Sequence, residues 1–140
     1  MLTIGWEHHQ AGRYEDADRV CREVLRVEPE DPAAWHLLGL VQFRLGRLDE
    51  AESAYRQALA LRPESAPVHG DLGVLLATRG RLAEALEPLR RAVALAPESV
   101  EAHGNLGMAL FQLGRPDEAA ASLRQAIRCN PDHPMAPSAL

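Results

Sequence analysis

The stretch from Pro32 to Ser65 reads PAAWHLLGLVQFRLGRLDEAESAYRQALALRPES. Its first half sets Trp35, Leu38, Val41 and Leu45 three or four residues apart, which is the spacing of one helical face. Gly46 follows, and glycine ends helices because it enters the left-handed conformation at little cost. Arg47 to Asp49 is expected to turn the chain. A second helical stripe then runs through Leu48, Ala51, Ala54, Tyr55, Ala58, Leu59 and Leu61 until Pro63 stops it. Asp49 and Glu50 fall in the first turn of that helix, where they complement its free N–H groups.

This unit recurs. Pro29, Pro63, Pro97 and Pro131 lie 34 residues apart. The same step relates Gly12, Gly46, Gly80 and Gly114, the set Gly5, Gly39, Gly73 and Gly107, and the set Ala17, Ala51, Ala85 and Ala119. A fixed period of this length signals stacked repeats, each too small to bury a core alone. The expected fold class is all-α, a solenoid of antiparallel helix-turn-helix repeats. Residues 1–133 form the array, in repeats of about 1–31, 32–65, 66–99 and 100–133, and 134–140 read as the start of a truncated further repeat or a tail.

Local chemistry supports the boundaries. Asp31, Ser65 and Ser99 share one column and are good N-cap residues. Pro32 and Pro116 fall in opening turns, where a missing N–H costs nothing. Pro88 falls inside a helix and predicts a local bend rather than a break. The Gly5 column is mid-helix, where glycine costs about 1 kcal/mol against alanine. Its recurrence predicts a close approach, with the Ala17 column as partner.

Composition limits the function classes. Hydrophobic content of 46% with 25% charge describes a folded chain. The net charge of −5 lacks the basic stripe of a phosphate-tracking protein, so no nucleic-acid partner is expected. All 15 basic residues are arginine, which suggests a GC-rich, bacterial source. Cys21 and Cys129 are far apart in a linear stack, and unpaired cysteines suit a reducing compartment. No apolar run reaches membrane-spanning length and no signal peptide opens the chain, so a cytoplasmic protein without a membrane partner is expected.

These columns resemble the tetratricopeptide repeat, whose pattern is Trp-x2-Leu-Gly-x2-Tyr, then Ala-x3-Phe, then Pro. The second unit offers Trp35, Leu38, Gly39, Gln42, Ala51, Tyr55 and Pro63. The third offers His69, Leu72, Gly73, Leu76, Ala85, Leu89 and Pro97, and the fourth His103, Leu106, Gly107, Leu110, Ala119, Leu123 and Pro131. The aromatic slots are mostly His or Leu. The resemblance implies a right-handed α-solenoid in which the first helices line a concave groove and the second helices form the back. It implies a groove built from Trp6, His9, His36, Leu40, Phe43, Arg44, Asp71, Val74, Asn105, Met108 and Phe111. The implied function is a protein-protein interaction module or scaffold holding a peptide or protein segment.

Within that groove, the basic clamp of chaperone-tail-binding members is missing. Leu2, His36, Gly70 and Gly104, with Trp6, Leu40, Val74 and Met108, occupy its columns. Asp71 and Asn105 occupy the column in which members related to nucleocytoplasmic sugar transferases carry a backbone-gripping Asn ladder. The alternatives are therefore a substrate-recruiting segment of a larger glycosyl- or sulfotransferase, and a self-associating structural array. Self-association would use the last helix, where Leu123, Ala126 and Ile127 would be poorly covered, making the chain a possible homo-oligomer.

The remaining patterns are bland. Arg13, Arg47, Arg81 and Arg115 follow the turn glycines and are expected to pair with acids such as Glu118 or face solvent. His8 and His9 are adjacent and point apart, so no helical metal pair forms. His69 and His103 sit in the Trp35 column as packing residues. No phosphate loop, Ser/His/Asp set or Cys-x2-Cys pair appears, so neither an enzyme nor a cofactor is expected.

Overall fold

The structure is a computed structural model and describes residues 1–129. These residues form α1 (Leu2–Gln10), α2 (Tyr14–Val27), α3 (Pro32–Arg44), α4 (Leu48–Leu61), α5 (Ala66–Thr78), α6 (Leu82–Leu95), α7 (Val100–Gln112) and α8 (Pro116–Cys129). Pro131, the end of the fourth repeat and the expected tail at 134–140 lie outside the described residues. The fold is an all-α helical-repeat solenoid. The chain divides into two compact units, Met1–Asp71 and the residues from Leu72 onward. In the first unit α1 packs on α2, α2 on α3 and α3 on α4, and α1 also touches α3. In the second, α6 packs on α7 and α7 on α8.

Each boundary has a local cause. Asp31 caps α3 by accepting from the backbone N–H of Ala33 at 3.0 Å, and Ser99 caps α7 by accepting from Ala102 at 3.1 Å. Ser65 accepts from Val68 at 3.4 Å. Gly12, Gly46, Gly80 and Gly114 all adopt φ between 76° and 79°, the left-handed region. The turn of the second repeat is Leu45 to Arg47, earlier than expected, because α4 already begins at Leu48. Leu48 and Asp49 are thus helical rather than turn residues, and Asp49 and Glu50 lie in the first turn of α4, as expected. α6 runs unbroken through the buried Pro88.

The mid-helix glycines do mark a close approach, but not chiefly to the alanine column. A methyl group on Gly39 would lie 2.4 Å from Tyr55 Cε1, and one on Gly73 would lie 2.4 Å from Leu89 Cδ2. Gly107 faces Leu123 in the same way, at 3.0 Å. The bulky residue of the second helix therefore seats over the glycine. The alanine column enters only through backbone, as Ala85 O near Gly73 and Ala119 O near Gly107. Gly5 departs from the pattern and faces Leu37 and Val20. On α8, Ala126 is buried and Leu123 lies against Gly107, so part of the face expected to be bare is already in use.

The Trp35 column does more than pack. Trp35 Nε1 donates to Pro29 O at 2.8 Å, His69 Nε2 to Pro63 O at 2.8 Å, and His103 Nε2 to Pro97 O at 2.7 Å. A carbonyl only accepts, so each imidazole carries its hydrogen on Nε2. Each ring ties the opening of one helix pair to the proline that ended the pair before it. Arg81 and Arg115 of the arginine column pair with Glu84 and Glu118 three residues on, at 2.7 and 2.5 Å. Arg13 instead donates to His8.

Arg47 joins a buried polar junction between α2 and α3. Asp18 Oδ1 accepts from Gln42 Nε2 at 2.5 Å and from Arg22 Nε at 2.9 Å. Arg47 donates to Gln42 Oε1 at 3.3 Å and to Glu15 at 3.1 Å. Gln42 is fully buried and Asp18 is 8% exposed. The same two columns in the second unit hold Leu86 and Leu110, both buried. One junction is thus charged and hydrogen-bonded where its counterpart is apolar.

Two stability predictions follow from this packing. Gly39→Ala should destabilise by about 2 kcal/mol in urea unfolding, because the Tyr55 ring is buried and cannot retreat. A cost below that of Gly46→Ala, which meets nothing but keeps a positive φ, would contradict the close approach. Asp18→Ala should cost about 2 kcal/mol by stranding Gln42. The double variant Asp18→Leu with Gln42→Leu should recover most of that loss, as replaced buried polar networks often do.

Candidate groove on the first helices

In the first unit the groove columns gather aromatic rings. Trp6 stands edge-on to His9, with centroids 5.9 Å apart, and to His36 at 6.1 Å. His9 in turn meets Tyr14 of α2 at 5.6 Å, and His36 meets Tyr55 of α4 at 6.2 Å. The first three are edge contacts, which contribute about 0.5–1.5 kcal/mol each, and the His36–Tyr55 pair is tilted. Tyr14 and Tyr55 were not among the sequence candidates because they sit on second helices. Their signal was an aromatic ring within reach of the groove column, which one repeat taken alone does not reveal.

His36 and Asp71 are both groove candidates, and the structure brings them together. His36 Nε2 donates to Asp71 Oδ2 at 2.7 Å, linking α3 to α5. Asp71 is therefore occupied by a side chain. Leu40 and Phe43 are half-buried on α3, and Arg44, its last residue, is exposed.

Electrostatics follow from this crowding. Burial lowers the pKa of His9 below the usual imidazole value, and the nearby Arg44 charge and His36 lower it further. The Tyr55 phenol is pushed upward by burial and by Asp71, with Arg44 pulling the other way. Burial, reinforced by Asp18, pushes the Cys21 thiol up to about 12, so this buried sulfur stays protonated and unreactive.

In the second unit the groove columns are apolar and open. Met108 is 55% exposed, Phe111 68% and Val74 36%. Val74, Asn105 and Met108, with Leu89 as one wall, line a pocket of about 270 Å³. That is smaller than the roughly 300–1,000 Å³ of a small-molecule site, so it suits a side chain. Asn105 is among its lining residues, and its side chain is an amide, both donor and acceptor.

Paired helices with a 34-residue column set, a glycine seat and a left-handed turn glycine define a tetratricopeptide-repeat protein. The family described as Cilia and flagella-associated protein 70 C-terminal domain matches residues 2–137, and the chain belongs to it. No curated protein matches the chain. Among solved structures, it is similar to PilF of Pseudomonas aeruginosa, with a TM-score of 0.89 and 28% identity over 95% of this chain and 61% of that one. It is also similar to TTC0263, a thermophilic TPR protein of Thermus thermophilus, with a TM-score of 0.81 and 27% identity over 93% of this chain and 73% of that one. The O-GlcNAc transferase of Thermobaculum terrenum matches at a TM-score of 0.85 and 29% identity, over 91% of this chain but 25% of its own. Among the described residues no helix is long and apolar enough to cross a membrane.

The His9 environment has a measurable consequence. Its NMR titration midpoint should lie below the ordinary imidazole value, and Arg44→Gln should move it upward. A His9 with lowered pKa binds fewer protons folded than unfolded, so its contribution to stability declines as pH falls through about 6.5. An unmoved midpoint in the variant would contradict the proximity of Arg44.

Proposed function

We propose that this chain is a protein-interaction module that holds a peptide or extended protein segment along the first helices of its repeats. The carrying observation is the exposure of Met108 and Phe111, three residues apart on α7. Burying a side chain of this size stabilises a complex by about 1.5–3 kcal/mol, so leaving both in water favours a partner. The neighbouring Asn105 would orient the segment by its backbone. In the first unit the same sequence columns carry Leu40 and Phe43 on α3, with Trp6, His9 and His36. The tetratricopeptide-repeat family and the high structural likeness to other repeat proteins support this reading.

A second reading keeps the groove and changes its owner. The likeness to a glycosyltransferase, of which this chain spans a quarter, favours a repeat segment that recruits substrates to a catalytic domain. The natural reading frame distinguishes the two, since a transferase domain encoded on the same chain would establish the second.

The groove assignment is tested with peptides selected from a random display library. Met108→Glu and Leu40→Glu should each weaken the selected peptides at least about tenfold, near 1.4 kcal/mol, with the helical circular dichroism unchanged. Unchanged affinity in both variants would refute the groove.

A further inference from the structure

Arg44 stands alone in its place. Of the 15 arginines it is the one that lies on α1, α3, α5 or α7, the first helices of the repeats. The acids that form the ion pairs of the first unit do so with other residues. Asp71 accepts from His36, Glu15 and Asp18 face Arg47, and Glu50 faces Arg22. Among the described residues Arg44 has no hydrogen bond or ion pair, and it is exposed. Its counterparts in the other three repeats are the neutral Gln10, Thr78 and Gln112.

A second observation lies beside it. His9 is close enough to Arg44 for that charge to act on its ring. His9 Nε2 is buried with no hydrogen-bond partner, one of two such side-chain atoms among the described residues. A buried polar atom left unpaired costs about 1–3 kcal/mol, and native structures rarely leave one without a reason. α1 and α3 touch, so the C-terminal ends that carry the His9 imidazole and the Arg44 guanidinium belong to packed helices, and Trp6 stands against the His9 ring.

We infer that this corner of the first unit receives a carboxylate side chain, Glu or Asp, of the segment held in the groove. The inference rests on the groove reading and names what one part of that groove selects. A carboxylate presents two acceptor oxygens. One accepts from the planar Arg44 fork in a charge-assisted bond. A small shift of the Trp6 or Arg44 side chain lets the other accept from His9 Nε2–H. The selectivity is for a side chain within the segment, and the first helices carry no arginine or lysine besides Arg44 to hold a chain-terminal carboxylate as well.

The test uses two tripeptides, Leu-Glu-Leu and Leu-Gln-Leu, both acetylated and amidated so that each lacks terminal charge. Each is titrated into the full chain while the Arg44 Nε–H and His9 ring resonances are followed by NMR. The glutamate peptide should shift both resonances saturably and bind about tenfold more tightly than the glutamine peptide. Arg44→Gln should remove that difference, and Arg44→Lys should retain part of it. Arg44 has no hydrogen bond or ion pair among the described residues, so its replacement leaves folding intact, which unchanged Trp35 and His103 resonances would verify. Equal binding of the two peptides, no saturable shift with either, or a preference surviving in Arg44→Gln each overturns the inference. The groove itself is judged separately, by the selected peptides and the Met108 and Leu40 variants, so the two failures are distinguishable.

Discussion

The seating of a large second-helix side chain over a first-helix glycine is the contact on which this architecture depends. Gly39 under Tyr55 and Gly73 under Leu89 leave no room for even one methyl group. That closeness fixes how the two helices of a pair meet. Everything else is arranged around it. The turn glycines reverse the chain within three residues, and the ring N–H groups of Trp35, His69 and His103 fasten each pair to the proline carbonyl behind it. With the second helices committed to this contact, the opposite faces of the first helices are left to vary. That variation is where the chemistry lies: aromatic and charged in the first unit, apolar in the second.

The same constraint explains why the groove side chains differ in kind. In the first unit the rings of Trp6, His9 and His36 brace one another and reach Tyr14 and Tyr55. A bound segment would meet a surface already shaped by packing. In the second unit Val74 and Met108 flank an open pocket with Asn105 at its side. There the surface is unspent, and a partner would supply the missing contacts.

Much of the fold was legible because it rests on strict columns. Period, caps, turn glycines and helix pairing each follow from residue types with distinct local roles: proline and the capping side chains at helix starts, and glycine where φ must be positive. The glycine partner was misread because side chains lean toward a helix's N-terminus, so the neighbour over Gly39 is Tyr55 rather than Ala51. The buried junction of Asp18, Gln42 and Arg47 was also hidden. Asp18 looks like one more solvated charge in α2, and only its meeting with Gln42, 24 residues away, makes it structural. The candidate site was legible as a set of positions but not as a set of partners. His36 and Asp71 were each placed in the groove, and their bond to one another depends on a distance that columns do not carry.

That junction gives the chain an uneven response to its solvent. Charge pairs weaken as ions screen them, whereas contacts between leucines are unaffected or strengthened by the same salt. Rising ionic strength therefore loosens the exposed arginine pairs around the α2–α3 junction, while the α6–α7 contact is left as it is or tightened. Because a repeat array unfolds by the relative strengths of neighbouring contacts, a change of salt alone can alter which part of this molecule opens first.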